Sequence, residues 1–169
     1  MASGEPQLHF VVFPFMAQCH MIPMIDIARL LAQRGLIITI VTTPHNAARF
    51  QNVVTRAVQS GLQMRVALLE FPCEEAGFPA GCENMDLLPS YGLAAQFYFA
   101  TGLLQQPAEK LFEELTPEPS CIFSDTCFPW TVKIAHKFNI PRISFCGFST
   151  FCLLCRNKIQ ASKVLENLS

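Results

Sequence analysis

Several signals that would mark a nucleotide-handling protein are missing from this 169-residue sequence. No G-x-G-x-x-G follows the first apolar run and no G-x-x-x-x-G-K-[ST] occurs anywhere, so neither dinucleotide nor P-loop chemistry is supported. Charge is scarce, at 15% of residues, and balanced, with 12 basic against 13 acidic side chains for a net charge of -1. No block of like charge stands out, which argues against a protein held on nucleic acid or anionic lipid. The opening MASGEPQLHF has no basic region leading into an unbroken apolar stretch, so no secretory signal is read there. The longest charge-free run, 87–108, contains Pro89, Ser90, Gln96, Gln105 and Gln106, and reads as a buried helix rather than a membrane span.

What is present is a high apolar content, 51%, enough for one domain with a core of its own. Eight cysteines without a signal peptide read as reduced thiols of a cytoplasmic protein. Cys152 and Cys155 form a lone C-x-x-C, short of the four ligands of a structural metal site, and read as small core residues. Neither a metal nor a disulfide is expected.

Strand and helix patterns alternate. Residues 8–13 (LHFVVF), 36–42 (LIITIVT), 64–71 (MRVALLEF), 121–124 and 141–146 read as strands. Helical patterns cover 21–34, 47–60 with Asn46 as cap, 91–115 with a break near Pro107, 130–139, and a last stretch from 148. The β-branched, unbroken run 36–42 suits a parallel strand covered on both faces. Repeated βα units of this length predict an α/β fold with a doubly wound, Rossmann-like parallel sheet in one domain, residues 1–169. Ligands of such sheets bind beyond the carboxyl ends of the strands, here the loops 14–20, 43–46, 72–90, 125–129 and 146–149.

Within those loops, Gly147-Phe148-Ser149-Thr150-Phe151 approaches a nucleophile elbow, but Phe151 stands where the second glycine belongs. A His–Asp pair remains. His20 follows the first strand at a helix start, where the partial positive charge disfavours imidazolium and keeps the ring neutral, as a base must be. Asp125 ends the strand 121–124, and strands one and four of such a sheet can be neighbours. A carboxylate there would orient the imidazole. Spacing alone leaves open a capping or packing role for His20 and an N-cap role for Asp125.

At these residues a resemblance becomes visible. HFVVFPFMAQCHMIPMIDIARLLAQRG (9–35), VTTPHNAARF (41–50), CIFSDTCFPWTVKIA (121–135), IPRISFCGFSTF (140–151) and SKVLENLS (162–169) resemble, in order, segments of plant UDP-dependent glycosyltransferases of secondary metabolites and hormones. The resemblance implies the amino-terminal, acceptor-binding domain of a GT-B glycosyltransferase. It implies His20 as general base and Asp125 as its partner. It also implies inverting transfer of a hexose, expected to be glucose, from a UDP-sugar co-substrate to a hydroxyl of a flavonoid, coumarin, terpenoid or hormone. No cofactor and no metal are implied.

The acceptor pocket is expected to involve Phe15, Phe97, Phe128 and Gly147, in a chain with fifteen phenylalanines. Two departures from the family pattern stand out. Its donor-binding signature, rich in Trp, His, Gly and Glu, is absent, so the carboxy-terminal UDP-sugar-binding domain is read as missing and these 169 residues alone as inactive. Cys19 occupies the donor-proximal place where the family has glycine, and is expected to narrow the site or strain the loop. An alternative is a non-catalytic small-molecule binder or partner protein derived from a truncated glycosyltransferase. A flavodoxin-like nucleotide binder is a third, less supported by the motifs.

Overall fold

A computed structural model gives the fold, and residues 7–147 and 149–162 are described. Residues 1–6 of the opening segment, Phe148 of the stretch 147–151 and residues 163–169 of the SKVLENLS segment lie outside the described residues. The β-branched run becomes β2 (Ile37–Thr42), which pairs with β1 (His9–Phe13); both strands are almost wholly buried. With β3 (Met64–Leu68), β4 (Cys121–Asp125) and β5 (Arg142–Phe145) they form a parallel sheet in the order β3-β2-β1-β4-β5. The doubly wound expectation is met. Strand order reverses between β1 and β4, which opens a crevice at their carboxyl ends.

Period-two alternation splits the core between the two faces of the sheet. Val11, Phe13 and Ile122 pack on one side against Phe97, Phe112 and Trp130. Val12, Ile38 and Ile40 pack on the other against Met24, Ala28 and Phe50. These partners come from α1 (Gln18–Gln33), α2 (Pro44–Gln59), α3 (Ala94–Gly102), α4 (Gln105–Glu114) and the segment leading into α5 (Thr131–Lys137). The charge-free run is not a wholly buried helix. It folds as amphipathic helical segments that sink one stripe, Phe97, Ala100, Thr101, Leu104 and Ala108, into the core and leave most other positions exposed, because α3 and α4 cover the sheet from one side only. No helix among the described residues is long and apolar enough to cross a membrane.

Local differences from the sequence reading have physical causes. α1 begins three residues earlier than its apolar periodicity, so His20 lies within its first turn. The break in 91–115 falls at Leu103 and Leu104, because Pro107 sits in the first turn of α4, where a missing N–H costs nothing. Cys152 and Cys155 are not core residues. They lie on α6 (Thr150–Ser162), none of whose described residues is buried, with Cys152 exposed. All eight cysteines are free thiols.

Asn46 does not cap α2, which starts at Pro44. Its buried amide instead donates to Thr43 Oγ1 (2.8 Å) and to the Glu83 carbonyl (2.7 Å), while its oxygen accepts from Asn84 Nδ2 (2.7 Å). The Glu83 carboxylate accepts from the His45 N–H, and Asp86 pairs with Arg49, whose guanidinium holds the Asp86 carboxyl below its usual range. Met85 N–H bonds back to Met16 O. The long 72–90 loop is thereby tied to α2 and to the segment after β1.

At the opposite end of the sheet, His9 is fully buried. The Pro117 carbonyl, 2.6 Å from Nδ1, can only accept, so Nδ1 carries the proton. Nε2 then accepts from Thr39 Oγ1 (2.8 Å), which in turn accepts from Arg65 Nε. This chain suits a neutral ring, and burial, aided by the Arg65 charge, lowers the His9 pKa below 6.5.

Two outcomes are expected. Asn46→Ala leaves the Glu83 carbonyl and the Asn84 amide short of a partner, at a cost of about 2–3 kcal/mol in urea unfolding. It also speeds amide exchange at residues 83–86 above that of β1; equal exchange would mean that other contacts hold the loop. For His9 the unfolded state binds the proton first, so stability is full above pH 6.5 and falls as pH drops from there towards the lower folded pKa. Urea midpoints measured across that window in the parent chain and in His9→Asn test this. A slope unchanged by the substitution would assign it to other groups.

Candidate active site

β1 and β4 are direct neighbours, with Phe13 opposite Ser124. That pairing carries the last residue of β4, Asp125, towards the first turn of α1. His20 Nδ1 lies 2.7 Å from Asp125 Oδ2, across 105 positions of sequence. Asp125 is fully buried and His20 is nearly so. The other carboxylate oxygen, Oδ1, accepts from the Cys127 N–H (2.9 Å) and from Thr126 Oγ1 (3.4 Å). A carboxylate accepts only, so the Nδ1 of His20 donates and its acid–base capacity lies at Nε2.

The backbone of Asp125 is fixed from behind. Arg142 on β5 donates to the Asp125 carbonyl (3.2 Å) and to the hydroxyls of Ser124 and Thr131 (2.7 Å each). Thr131 in turn donates to the Phe128 carbonyl at 2.7 Å. The turn that presents the carboxylate therefore has little freedom.

The imidazole is held on two further sides. The Phe15 ring meets it edge-on, with centroids 5.4 Å apart at 70°. Gly147, after β5, lies against the ring itself; a Cβ there would fall 2.8 Å from Nδ1 and 2.9 Å from Cε1. Those separations are below van der Waals contact, so only glycine fits beside His20 in this orientation.

The expected aromatic residues divide. Phe15 and Phe128 are buried beneath the site with ring centroids 5.5 Å apart. Phe97 turns into the core against Phe71 and Phe78 and offers no surface to a ligand. Two aromatic residues of α3 face outwards, Phe99 and Tyr98, and of these Tyr98, 41% exposed, is stacked flat on Phe15 at 5.2 Å and 8°. A surface groove of about 470 Å³ runs from Tyr98 past Phe99 to Pro129 and Trp130. Cys19 is exposed on the first turn of α1, and among the described residues the only non-glycine with positive φ is Asn139, so the expected backbone strain at Cys19 is not found.

Tyr98 and Cys127 were not legible as site residues. Burial, followed by the neighbouring Cys127, pushes the Tyr98 hydroxyl up to about 12. Burial, followed by the Asp125 charge, pushes the Cys127 thiol up to about 12 as well. Both are neutral at physiological pH. The nearest sequence signal was Cys127's place in the turn after Asp125; nothing in the sequence distinguished Tyr98 from Phe97.

No family profile matches the chain. Among curated proteins it is 59% identical over 162 residues to UDP-glycosyltransferase 73C11 of Barbarea vulgaris, covering 95% of this chain and 33% of that protein. It is 56% identical over 168 residues to UDP-glycosyltransferase 73C6 of Arabidopsis thaliana, covering 98% and 34%. Among solved structures it matches Glycyrrhiza uralensis UGT73P12, complexed with glycyrrhetinic acid 3-O-monoglucuronide, with a TM-score of 0.81 and 32% identity over 92% of this chain and 31% of that one. Arabidopsis thaliana UGT89C1 complexed with quercetin matches with a TM-score of 0.71 and 27% identity, over 83% and 35%. The chain thus spans about a third of the length of the relatives it matches. Its parallel sheet is the Rossmann-like fold of GT-B glycosyltransferases, and by sequence and fold together the chain belongs to the plant UDP-glycosyltransferase family.

Proposed function

We propose that this chain supplies the general base and the acceptor side of an inverting, UDP-sugar-dependent glycosyltransferase. The observation that carries the reading is the buried hydrogen bond from His20 to Asp125 at the mouth of the β1–β4 crevice. An acceptor hydroxyl gives its proton to His20 Nε2 as its oxygen attacks the anomeric carbon. The bond from that carbon to the diphosphate breaks on the opposite side, and UDP leaves. Asp125 stabilises the imidazolium that forms. A positioned base of this kind contributes about 10²–10⁴-fold in rate. The rest must come from alignment and from neutralising the departing diphosphate.

The acceptor we infer is a small, largely apolar molecule with a reactive hydroxyl, such as a flavonoid, coumarin, terpenoid or hormone, and the sugar a hexose such as glucose. Support comes from the aromatic surface of Tyr98, which stacks on the Phe15 ring that meets His20 and continues into the groove lined by Phe99. Quercetin and a glycyrrhetinic acid glucuronide in the matched structures point the same way. Residues 1–169 act as the acceptor-binding domain, with the UDP-sugar held by a second domain of which this sequence contains no signature. The 169 residues by themselves then turn over little or no substrate. Eight free thiols suit a reducing, cytoplasmic setting.

The test joins this chain to the remaining two-thirds of UDP-glycosyltransferase 73C11 and assays transfer from UDP-glucose to a panel of hydroxylated acceptors. His20→Ala and Asp125→Asn are each expected to lower kcat about 10²–10⁴-fold with circular dichroism unchanged. Transfer that survives His20→Ala would remove the proposed base. Gly147→Ala is expected to drive its Cβ into the His20 ring and to lower kcat more than it raises KM. A variant with undiminished kcat would show that the ring tolerates displacement.

A further inference from the structure

We propose that His20, Asp125 and Cys127 form a binding site for one thiophilic divalent cation of the zinc class. The three residues each offer a ligand atom, an imidazole nitrogen, a carboxylate oxygen and the thiol Sγ, and these atoms all lie within 4.8 Å of one another. The nitrogen nearest the carboxylate is Nδ1, 2.7 Å from Asp125 Oδ2. Zinc bonds of about 2.0–2.3 Å in tetrahedral geometry place ligand atoms about 3.3–3.8 Å apart. Closing the cluster around an ion therefore needs side-chain adjustment, not movement of the strands.

The donors are set on rigid supports. Asp125 ends β4, and Cys127 follows it in a turn whose N–H already bonds the carboxylate. His20 comes from the first turn of α1, held beside β4 by the β1–β4 pairing. One nitrogen, one oxygen and one sulfur are the mixture that zinc accepts and that magnesium or calcium, which demand oxygen, reject. Three protein ligands leave a fourth position for water, as in open zinc sites.

Charge and protons balance. On binding, the proton on Nδ1 of His20 is replaced by one on Nε2, a change of tautomer with no net release. The Cys127 thiol loses its proton to solvent. The dication then faces one carboxylate and one thiolate, so the filled site is neutral, which a buried location requires. What is given up is the hydrogen bond between His20 and Asp125, together with the contacts of the Cys127 thiol with Asp125 and Tyr98. If His20 is the base, as proposed above, the ion also disables it, because Nδ1 is ligated and Nε2 is protonated. The site would then work as an inhibitory switch instead of a cofactor site.

The experiment titrates the purified chain with Co²⁺, whose thiolate charge-transfer and tetrahedral d–d absorption report the ligand set. We expect one equivalent to bind with both features, to be displaced by Zn²⁺ and to be unaffected by excess Mg²⁺. Cys127→Ser is expected to remove the charge-transfer band and to weaken Zn²⁺ binding by more than the ~10–100-fold that loss of an outer-shell partner costs. Replacing Cys19, Cys146, Cys152 and Cys155 together with serine is expected to leave the band in place. A band that persists in Cys127→Ser, or no band in the unaltered chain, overturns the proposal. Should Cys127→Ser misfold, X-ray absorption of the Zn²⁺ complex of the unaltered chain decides: one sulfur among nitrogen and oxygen neighbours supports the site, and two or more sulfurs, or none, overturn it. None of these readouts involves glycosyl transfer, so failure of this site and failure of the transferase reading are told apart.

Discussion

The parallel pairing of β1 with β4 is the constraint on which the site depends. It joins two strands separated by more than a hundred residues and places the ends of both at one crevice. The bond between His20 and Asp125 follows from it. Neither residue could find the other through local structure, since they sit on different βα units. The pairing in turn rests on the alternating apolar faces of the two strands. Val11 and Val12 are buried on opposite sides, and Ile122 and Phe123 repeat the pattern on β4.

Around that bond the structure spends most of its polar hydrogen bonding on orientation. Asp125 is held by a turn N–H on one oxygen and by Arg142 at its carbonyl. His20 is confined by the edge of Phe15 and by the absence of a side chain at Gly147. An imidazole with Nδ1 committed to a buried carboxylate has only its other nitrogen, Nε2, for proton exchange. The same three-sided confinement brings Cys127 close enough for the cluster to accept a soft cation as well. Proton transfer and metal binding compete for one ring, so they exclude each other on chemical grounds.

Order elsewhere is uneven. The 72–90 loop, rich in glycine and proline, is pinned by the buried amides of Asn46 and Asn84 in addition to the apolar contacts of Ala76, Phe78 and Cys82 in the core. β5 and α6 behave differently. Ile143 and Phe151 are 49% and 74% exposed, although strands and helices of a doubly wound sheet are ordinarily covered. None of the described residues from Pro141 to Ser162 is buried, although the stretch carries family-like motifs.

Element order, strand positions and the choice of His20 and Asp125 could be read from the sequence, because periodicity and βα alternation are local signals and the motifs carried a family likeness. Asn46 was legible as a polar residue near a helix start, but its pairing with a residue 38 positions away was not. The sequence likewise placed an aromatic residue on α3 without telling which of Phe97 and Tyr98 turns inward. Helical phase decides that, and α3 follows a short turn whose phase only packing sets. Cys19 breaks the family pattern, yet its backbone is unstrained because α1 begins at Gln18 and holds it in a helical conformation. By itself, then, the sequence determined the parallel α/β fold and the family, through patterns contained within single elements. The tertiary structure alone decided how near His20, Asp125, Cys127, Tyr98 and Gly147 stand to one another, because distances between side chains on different strands are consequences of strand order and register, which no local pattern encodes.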